Sequence, residues 1–188
     1  MGRWQPDARE RLQDAAMALY GERGYDKTTV AEIAERAGLT KRTFFRYFAD
    51  KREVLFWRSE LLEQRMTAAI EAAPAGATPI GLIGAALDAA AVRFEEGRAW
   101  AGARHRIIAS SPELRERELI KAMSLAAAMA AALRARGLGD TAAALAAQTA
   151  LTVMNVAFEQ WIGDPGRIPF QQLAAEALTQ LREIASAE

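Results

Sequence analysis

"TTVAEIAERAGLTKRTFFRYFADK", residues 28–51, decides the fold. Thr29-Val30-Ala31-Glu32 has the form of a capping box, in which a threonine and a glutamate three residues on satisfy each other's backbone N–H groups. The box predicts a short helix through Ile33 and Ala34 to Ala37, stopped by Gly38. Thr40 stands where an N-cap is wanted for a second short helix, "KRTFFRYF" (41–48). Two short helices joined through a glycine-bearing turn form the helix-turn-helix pattern. In that pattern the second helix enters the major groove of DNA.

The second helix has the composition this task needs. It must dock on its own domain by an apolar face and present a polar, cationic face to bases and phosphates. Phe44 and Phe48, four apart, share one face and read as core. Lys41, Arg42 and Thr43 lie at the N-terminal end, within reach of base edges, while Arg46 and Tyr47 suit backbone phosphates. Lys51, at the start of the next expected helix, adds charge beside helix-terminal N–H groups that favour an anion. Residues 36–58 hold seven Lys or Arg against Asp50 and Glu53, on a chain of net charge zero. A local basic patch on a neutral protein points to one dedicated anionic partner surface. The competing reading is a solvated helix face.

Outward from this stretch, the chain reads as all-α, with about nine helices. Pro6 suits the first turn of a helix carrying Leu12, Ala16, Leu19 and Tyr20, which Gly24 ends. Asp50-Lys51-Arg52-Glu53 resembles another capping box and opens one long helix carrying Val54, Leu55, Trp57, Leu61, Leu62 and Met66. "AAPAGATP" (72–79), Gly97, "SSP" (110–112), "GLGD" (137–140) and "GDPGRIP" (163–169) punctuate the remainder into further helices. The expected domains are 1–50, a helix-turn-helix domain, and 51–188, a helical effector-binding and dimerisation domain.

Hydrophobic residues make up 51% and charged residues 26%, a globular mixture. There is no cysteine, so disulfides and thiolate metal sites are excluded. The charged N-terminal stretch and the lack of a long uncharged apolar run lead to the expectation of a cytoplasmic protein with no signal peptide, membrane span, metal or cofactor.

Residues from about 8 to 56 resemble the DNA-binding domain of the TetR family of bacterial transcriptional regulators. The landmarks are Gly24-Tyr25, Thr28-Thr29, Ile33-Ala34, Ala37-Gly38, Thr40, Phe44 to Phe48 and Lys51. The resemblance implies that Thr28 or Thr29, Thr40, Tyr47 and Lys51 hold phosphates, with Lys41, Arg42 and Thr43 approaching bases. Phe45 departs from the pattern, because the family commonly has a tyrosine there, whose hydroxyl can contact the backbone.

The same resemblance implies a homodimer through the last two helices, 141–162 and 169–186, bound to double-stranded operator DNA. One short helix reads too few base pairs, so two half-sites about 34 Å apart are read together. Ala142, Ala146, Ala150 and Ala157 would permit close helix approach, and Leu173, Leu178 and Leu181 would form an apolar seam. It also implies a small-molecule effector in the C-terminal domain, apolar or, by the second likeness given next, acyl-CoA-like. "RHRIIASSPELRER" (104–117) and the Ala-rich helix after it are also similar to regulators from mycofactocin gene clusters.

Candidate pocket residues are Phe94, Trp100, Arg104, His105, Met123, Gln148, Thr152, Asn155 and Phe158. Each has a plainer reading. The aromatic residues and Met123 are core formers, and Gln148, Thr152, Asn155 and Glu159 form a polar stripe suited to an interface or solvent. Two other functional classes remain open. One is a small helical enzyme using Arg104, His105, Ser110 or Ser111, although no HExxH, paired-acid or phosphate-loop motif accompanies them. The other is a helical adaptor whose basic helix binds protein.

Overall fold

The structure, a computed structural model, describes residues 7–95, 97–163 and 168–186. Pro6 and residues 164–167 of the last expected loop lie outside them. The described residues form ten helical segments: α1 (Ala8–Arg23), α2 (Val30–Arg36), α3 (Lys41–Tyr47), α4 (Glu53–Phe56), α5 (Ser59–Ala72), α6 (Pro79–Glu95), α7 (Arg98–Ala109), α8 (Pro112–Ala135), α9 (Asp140–Gly163) and α10 (Phe170–Ser186). The all-α expectation and most breakers hold. The exception is the long helix expected from Asp50, which breaks at Trp57–Arg58 into α4 and α5. Counted as one, they restore the expected nine. Val54, Leu55 and Phe56 are consecutive and all buried, so α4 has no solvent face. Successive helical residues point about 100° apart, and an amphipathic helix of period 3.6 does not accommodate such a run.

Packing divides the chain into two compact units. The first runs to Arg58 and takes in Gly102–Leu119; the second comprises Ser59–Ala101 and the chain from Ile120 onward. The first unit buries Leu12, Ala16, Leu19 and Tyr20 of α1 against Ile33 of α2, Phe44 of α3 and Val54, Leu55 and Phe56 of α4. Ile107, Ile108 and Leu114 belong to the same core. Arg104 fastens α4 to this later segment: its Nε donates to the Leu55 carbonyl at 2.7 Å and its Nη atoms donate to Glu118 at 3.1 and 2.6 Å. Arg117 donates to Glu53 at 2.8 Å. Asp50 caps α4, its Oδ1 accepting from the N–H groups of Arg52 (2.8 Å) and Glu53 (3.2 Å).

In the second unit, α6 packs on α5, α9 and α10. Arg136 closes the end of α5, its guanidinium donating to the carbonyls of Glu71 (2.8 Å), Ala73 (2.6 Å) and Pro74 (2.7 Å). These acceptors lie at a helix end, where carbonyls lack helical partners. Phe94, Phe158, Trp161 and Phe170 form one aromatic cluster around Phe94, with ring centroids 4.7–5.9 Å from it.

Two expectations change here. Ala146, Ala150, Ala157, Leu173 and Leu178 are buried within the single chain, so the seam they make joins α9 to α10 internally. The helical period shows that such residues share a face and leaves open which neighbour covers it. Second, α9 has the length and apolar composition of a membrane-spanning helix. Nine of its residues, however, are buried in the unit's core.

Phe44 is fully buried and is the anchor of α3. Phe44→Ala is expected to cost about 3–5 kcal/mol, the range for deleting a buried phenylalanine ring. The measurement is urea unfolding followed by far-UV circular dichroism. A loss below about 1 kcal/mol would show that α3 does not depend on this contact.

Candidate nucleic-acid interface

Local caps build the two helices. Thr29 Oγ1 accepts from the Glu32 N–H at 3.3 Å, and Glu32 Oε2 accepts from the Thr29 N–H at 2.9 Å, so both halves of the capping box form. The Glu32 carboxyl is held below the usual carboxylate range first by the Thr29 backbone N–H, then by the Thr29 hydroxyl. Gly38 turns the chain at φ 64°, and a Cβ there would lie 2.9 Å from Arg11 Nη2. Glycine is therefore favoured twice, by conformation and by space. The Arg11 guanidinium also donates to the Ala37 carbonyl at the end of α2. Thr40 Oγ1 then accepts from the Thr43 N–H at 3.1 Å and starts α3.

α3 divides as its composition requires. Phe44 and, beyond the helix end, Phe48 are buried, with rings 5.5 Å apart. Lys41, Arg42, Phe45 and Arg46 are exposed on the opposite face; Thr43 and Tyr47 are half-buried. Phe45 is 57% exposed and meets Phe44 edge-on at 5.5 Å, which places it outside the core, beside the cations. Arg46 stacks on Tyr47, its guanidinium carbon 4.9 Å from the ring centroid and its Nη2 donating to the tyrosine hydroxyl at 3.2 Å.

Two expected phosphate ligands have other work. Thr28 is buried, and its hydroxyl donates to the Gly24 carbonyl at 2.9 Å; of the threonine pair only Thr29 is exposed. Lys51 Nζ donates to the carbonyls of Tyr25 (2.9 Å) and Thr28 (3.0 Å) and lies 4.1 Å from the centre of the Tyr25 ring. Its own carbonyl accepts from the Tyr20 hydroxyl at 2.6 Å. Burial pushes the Tyr20 and Tyr25 hydroxyls up, so both rings stay neutral beside the lysine. Lys51 thus pins the loop between α1 and α2 to the start of α4, with two of its three donors directed inward. The signal for this was not local, since the acceptors lie 26 and 23 residues away.

The nine expected pocket residues divide between the two units. Arg104 and His105 belong to the first unit, and Phe94, Trp100, Met123, Gln148, Thr152, Asn155 and Phe158 to the second. Phe94 and Phe158 join the aromatic core, Met123 is 70% exposed, and Gln148, Thr152 and Asn155 lie on the open face of α9. Three residues of the enzymatic reading, Arg104, Ser110 and Ser111, have structural work. Arg104 holds Glu118, Ser110 Oγ donates to the Ile107 carbonyl at 2.7 Å, and Ser111 is buried ahead of α8.

Similarity to known proteins falls on the same residues. The pattern of the bacterial regulatory proteins of the tetR family matches residues 12–56. The HTH-type transcriptional regulator TcmR of Streptomyces glaucescens is 37% identical over 89 residues, covering 47% of this chain and 39% of TcmR. The chain therefore matches about two-fifths of that relative's length. The whole fold is shared with FadR of Bacillus subtilis, solved with stearoyl-CoA, at TM-score 0.65 and 19% identity over 92% of this chain and 96% of that one. It is shared also with SmeT, the repressor of the Stenotrophomonas maltophilia efflux pump SmeDEF, at TM-score 0.61 and 21% identity over 94% and 89%. The tetR-family pattern thus falls on the helix-turn-helix segment, residues 12–56, and the helical architecture around it is one shared with FadR and SmeT.

Proposed function

We propose that the protein is a sequence-specific DNA-binding repressor released from its operator by a small-molecule effector. The observation that carries the reading is α3, where Lys41, Arg42, Phe45 and Arg46 face outward from a helix anchored by Phe44. Lys41 and Arg42 are assigned to base edges, Thr29, Thr40, Arg46 and Tyr47 to phosphates, and Phe45 to sugar or thymine methyl contact. Residues 1–50 supply the reading surface, and the chain beyond them the dimerisation and effector functions. The protein acts as a regulator and not as an enzyme.

The dimer reading rests on the need for two half-sites. The face of α9 that the chain leaves open carries Leu145 and Val156, 65% and 45% exposed, beside Gln148, Thr152, Asn155 and Glu159. That mixed face is the one we assign to a second copy. The effector reading rests on fold likeness to FadR, which was solved with stearoyl-CoA, and assigns an apolar or acyl-CoA-like molecule to the second unit. An effector shifts the operator-bound population only by its differential affinity for the two states. The narrower resemblance to mycofactocin-cluster regulators draws no support from these relatives.

Gel shift on the DNA upstream of the protein's own gene tests the reading. Arg42→Ala is expected to lower the preference for that DNA over random duplex by about 1–3 kcal/mol, the discrimination of one good base contact. Equal wild-type affinity for both duplexes at several salt concentrations would sink the proposal. Lys51→Met separates a brace from a phosphate ligand. It is expected to cost about 1.5–3 kcal/mol of stability through its lost charged hydrogen bonds. The dependence of log K on log salt should keep its wild-type slope. A slope shallower by about 0.9 would instead make Lys51 a phosphate contact.

A further inference from the structure

The cations of the first unit fall into distinct classes. Arg23 pairs with Glu32, Arg36 with Glu22, Arg52 with Asp50 and Glu113, Arg104 with Glu118 and Arg117 with Glu53. Arg9 and Arg46 have no carboxylate partner among the described residues and lie instead against rings. The ring contacts are continuous. From the end of α3, Arg46 lies 4.9 Å from the Tyr47 ring; Arg9, in the first turn of α1, lies 5.6 Å from Tyr47 and 5.1 Å from Trp57; Arg58 lies 4.9 Å from Trp57. Five side chains from three separate stretches alternate guanidinium and ring.

We propose that this ladder, Arg46–Tyr47–Arg9–Trp57–Arg58, is a second row of contacts to DNA phosphates, continuous with α3 and outside the bases it reads. The inference rests on the DNA-binding reading above. A ring neutralises no charge, so Arg9 and Arg46 keep theirs, whereas the carboxylate-paired arginines of the same unit do not. Stacking engages the face of a guanidinium and leaves its in-plane N–H groups directed outward, in the fork that fits a phosphate. It also holds a long side chain in place before binding, which reduces the ordering cost on association. Arg9 Nε and the Trp57 indole N–H are buried, so the donors the ladder offers to a phosphate are the Nη groups of its guanidiniums. Its surface continues that of α3, since Arg46 and Tyr47 belong to both.

The test is a salt series on two probes, a random-sequence duplex and the DNA upstream of the gene, with melting temperatures recorded for every variant. Arg9→Gln and Arg9→Met are each expected to weaken both probes by the same factor and to make the log K–log salt slope shallower by about 0.9. Arg9→Lys is expected to keep the slope, and Arg36→Gln, already neutralised by Glu22, to leave slope and affinity unchanged. If Arg9→Gln and Arg9→Met lower the melting temperature but keep the wild-type slope on random duplex, the ladder is packing alone and the proposal is overturned. Failure of the wild type to prefer the upstream DNA would remove the regulator reading, while the random-duplex slopes would still decide the ladder.

Discussion

A helix of seven residues does not hold itself together in water, where isolated helices shorter than about 12–15 residues are marginal. α3 is such a helix. It persists because the Phe44 ring enters a core floored by α1 and α2, because Phe48 follows it, and because Thr40 caps its first turn. Burial of one such ring contributes roughly 1.5–3 kcal/mol and a cap about 1 kcal/mol, each large beside the helix's own propensity. Everything on the outer face depends on this anchorage. Lys41, Arg42, Phe45 and Arg46 share one exposed surface because Phe44 fixes the rotation of the helix about its axis.

Charge is sorted around that anchor by what each cation meets. Asp50 illustrates the structural class. Burial would raise its carboxyl, but the Arg52 guanidinium and the backbone N–H groups of Glu53 and Arg52 together hold it below the usual carboxylate range. Its contribution to folding is therefore present above that range and is lost as pH falls through the depressed value. Arg104 and Arg117 work in the same way on α4. Lys51 is a third case, a cation neutralised by backbone dipoles and the face of Tyr25. Beside these structural cations, α3 presents Lys41, Arg42 and Arg46 outward on a chain whose total charge is zero.

What the sequence made legible was local. Thr29, Gly38 and Thr40 act within three or four residues of themselves, so their spacing declared the two helices and the turn between them. Phe44 and Phe48 were legible by period. Thr28 was not, because a threonine hydroxyl turned inward to Gly24 looks the same in sequence as one turned to solvent. The contacts of Lys51, Arg9 and Arg104 were not legible for a related reason: their partners lie tens of residues away. The recruitment of Gly102–Leu119 into the first unit is likewise a long-range fact. In the second unit the same limit applies to alanine and leucine, since a small-residue stripe specifies close approach and leaves the neighbour unnamed.

α9 shows how the partner of a face is decided. By hydropathy it could cross a membrane. Yet its buried residues, among them Ala143, Ala147, Ala150, Val153 and Ala157, already pack inside the unit. A lipid neighbour would meet the other face, where Gln148, Thr152, Asn155 and Glu159 are exposed. A charged group at the centre of a bilayer costs at least about 2.5–3.5 kcal/mol, and the amide side chains add to that. The exposed Leu145 and Val156 disfavour bare solvent in a milder way, by leaving large apolar groups in water. A face with both kinds of residue suits a neighbour that supplies both apolar cover and hydrogen-bond partners, and another protein surface does so.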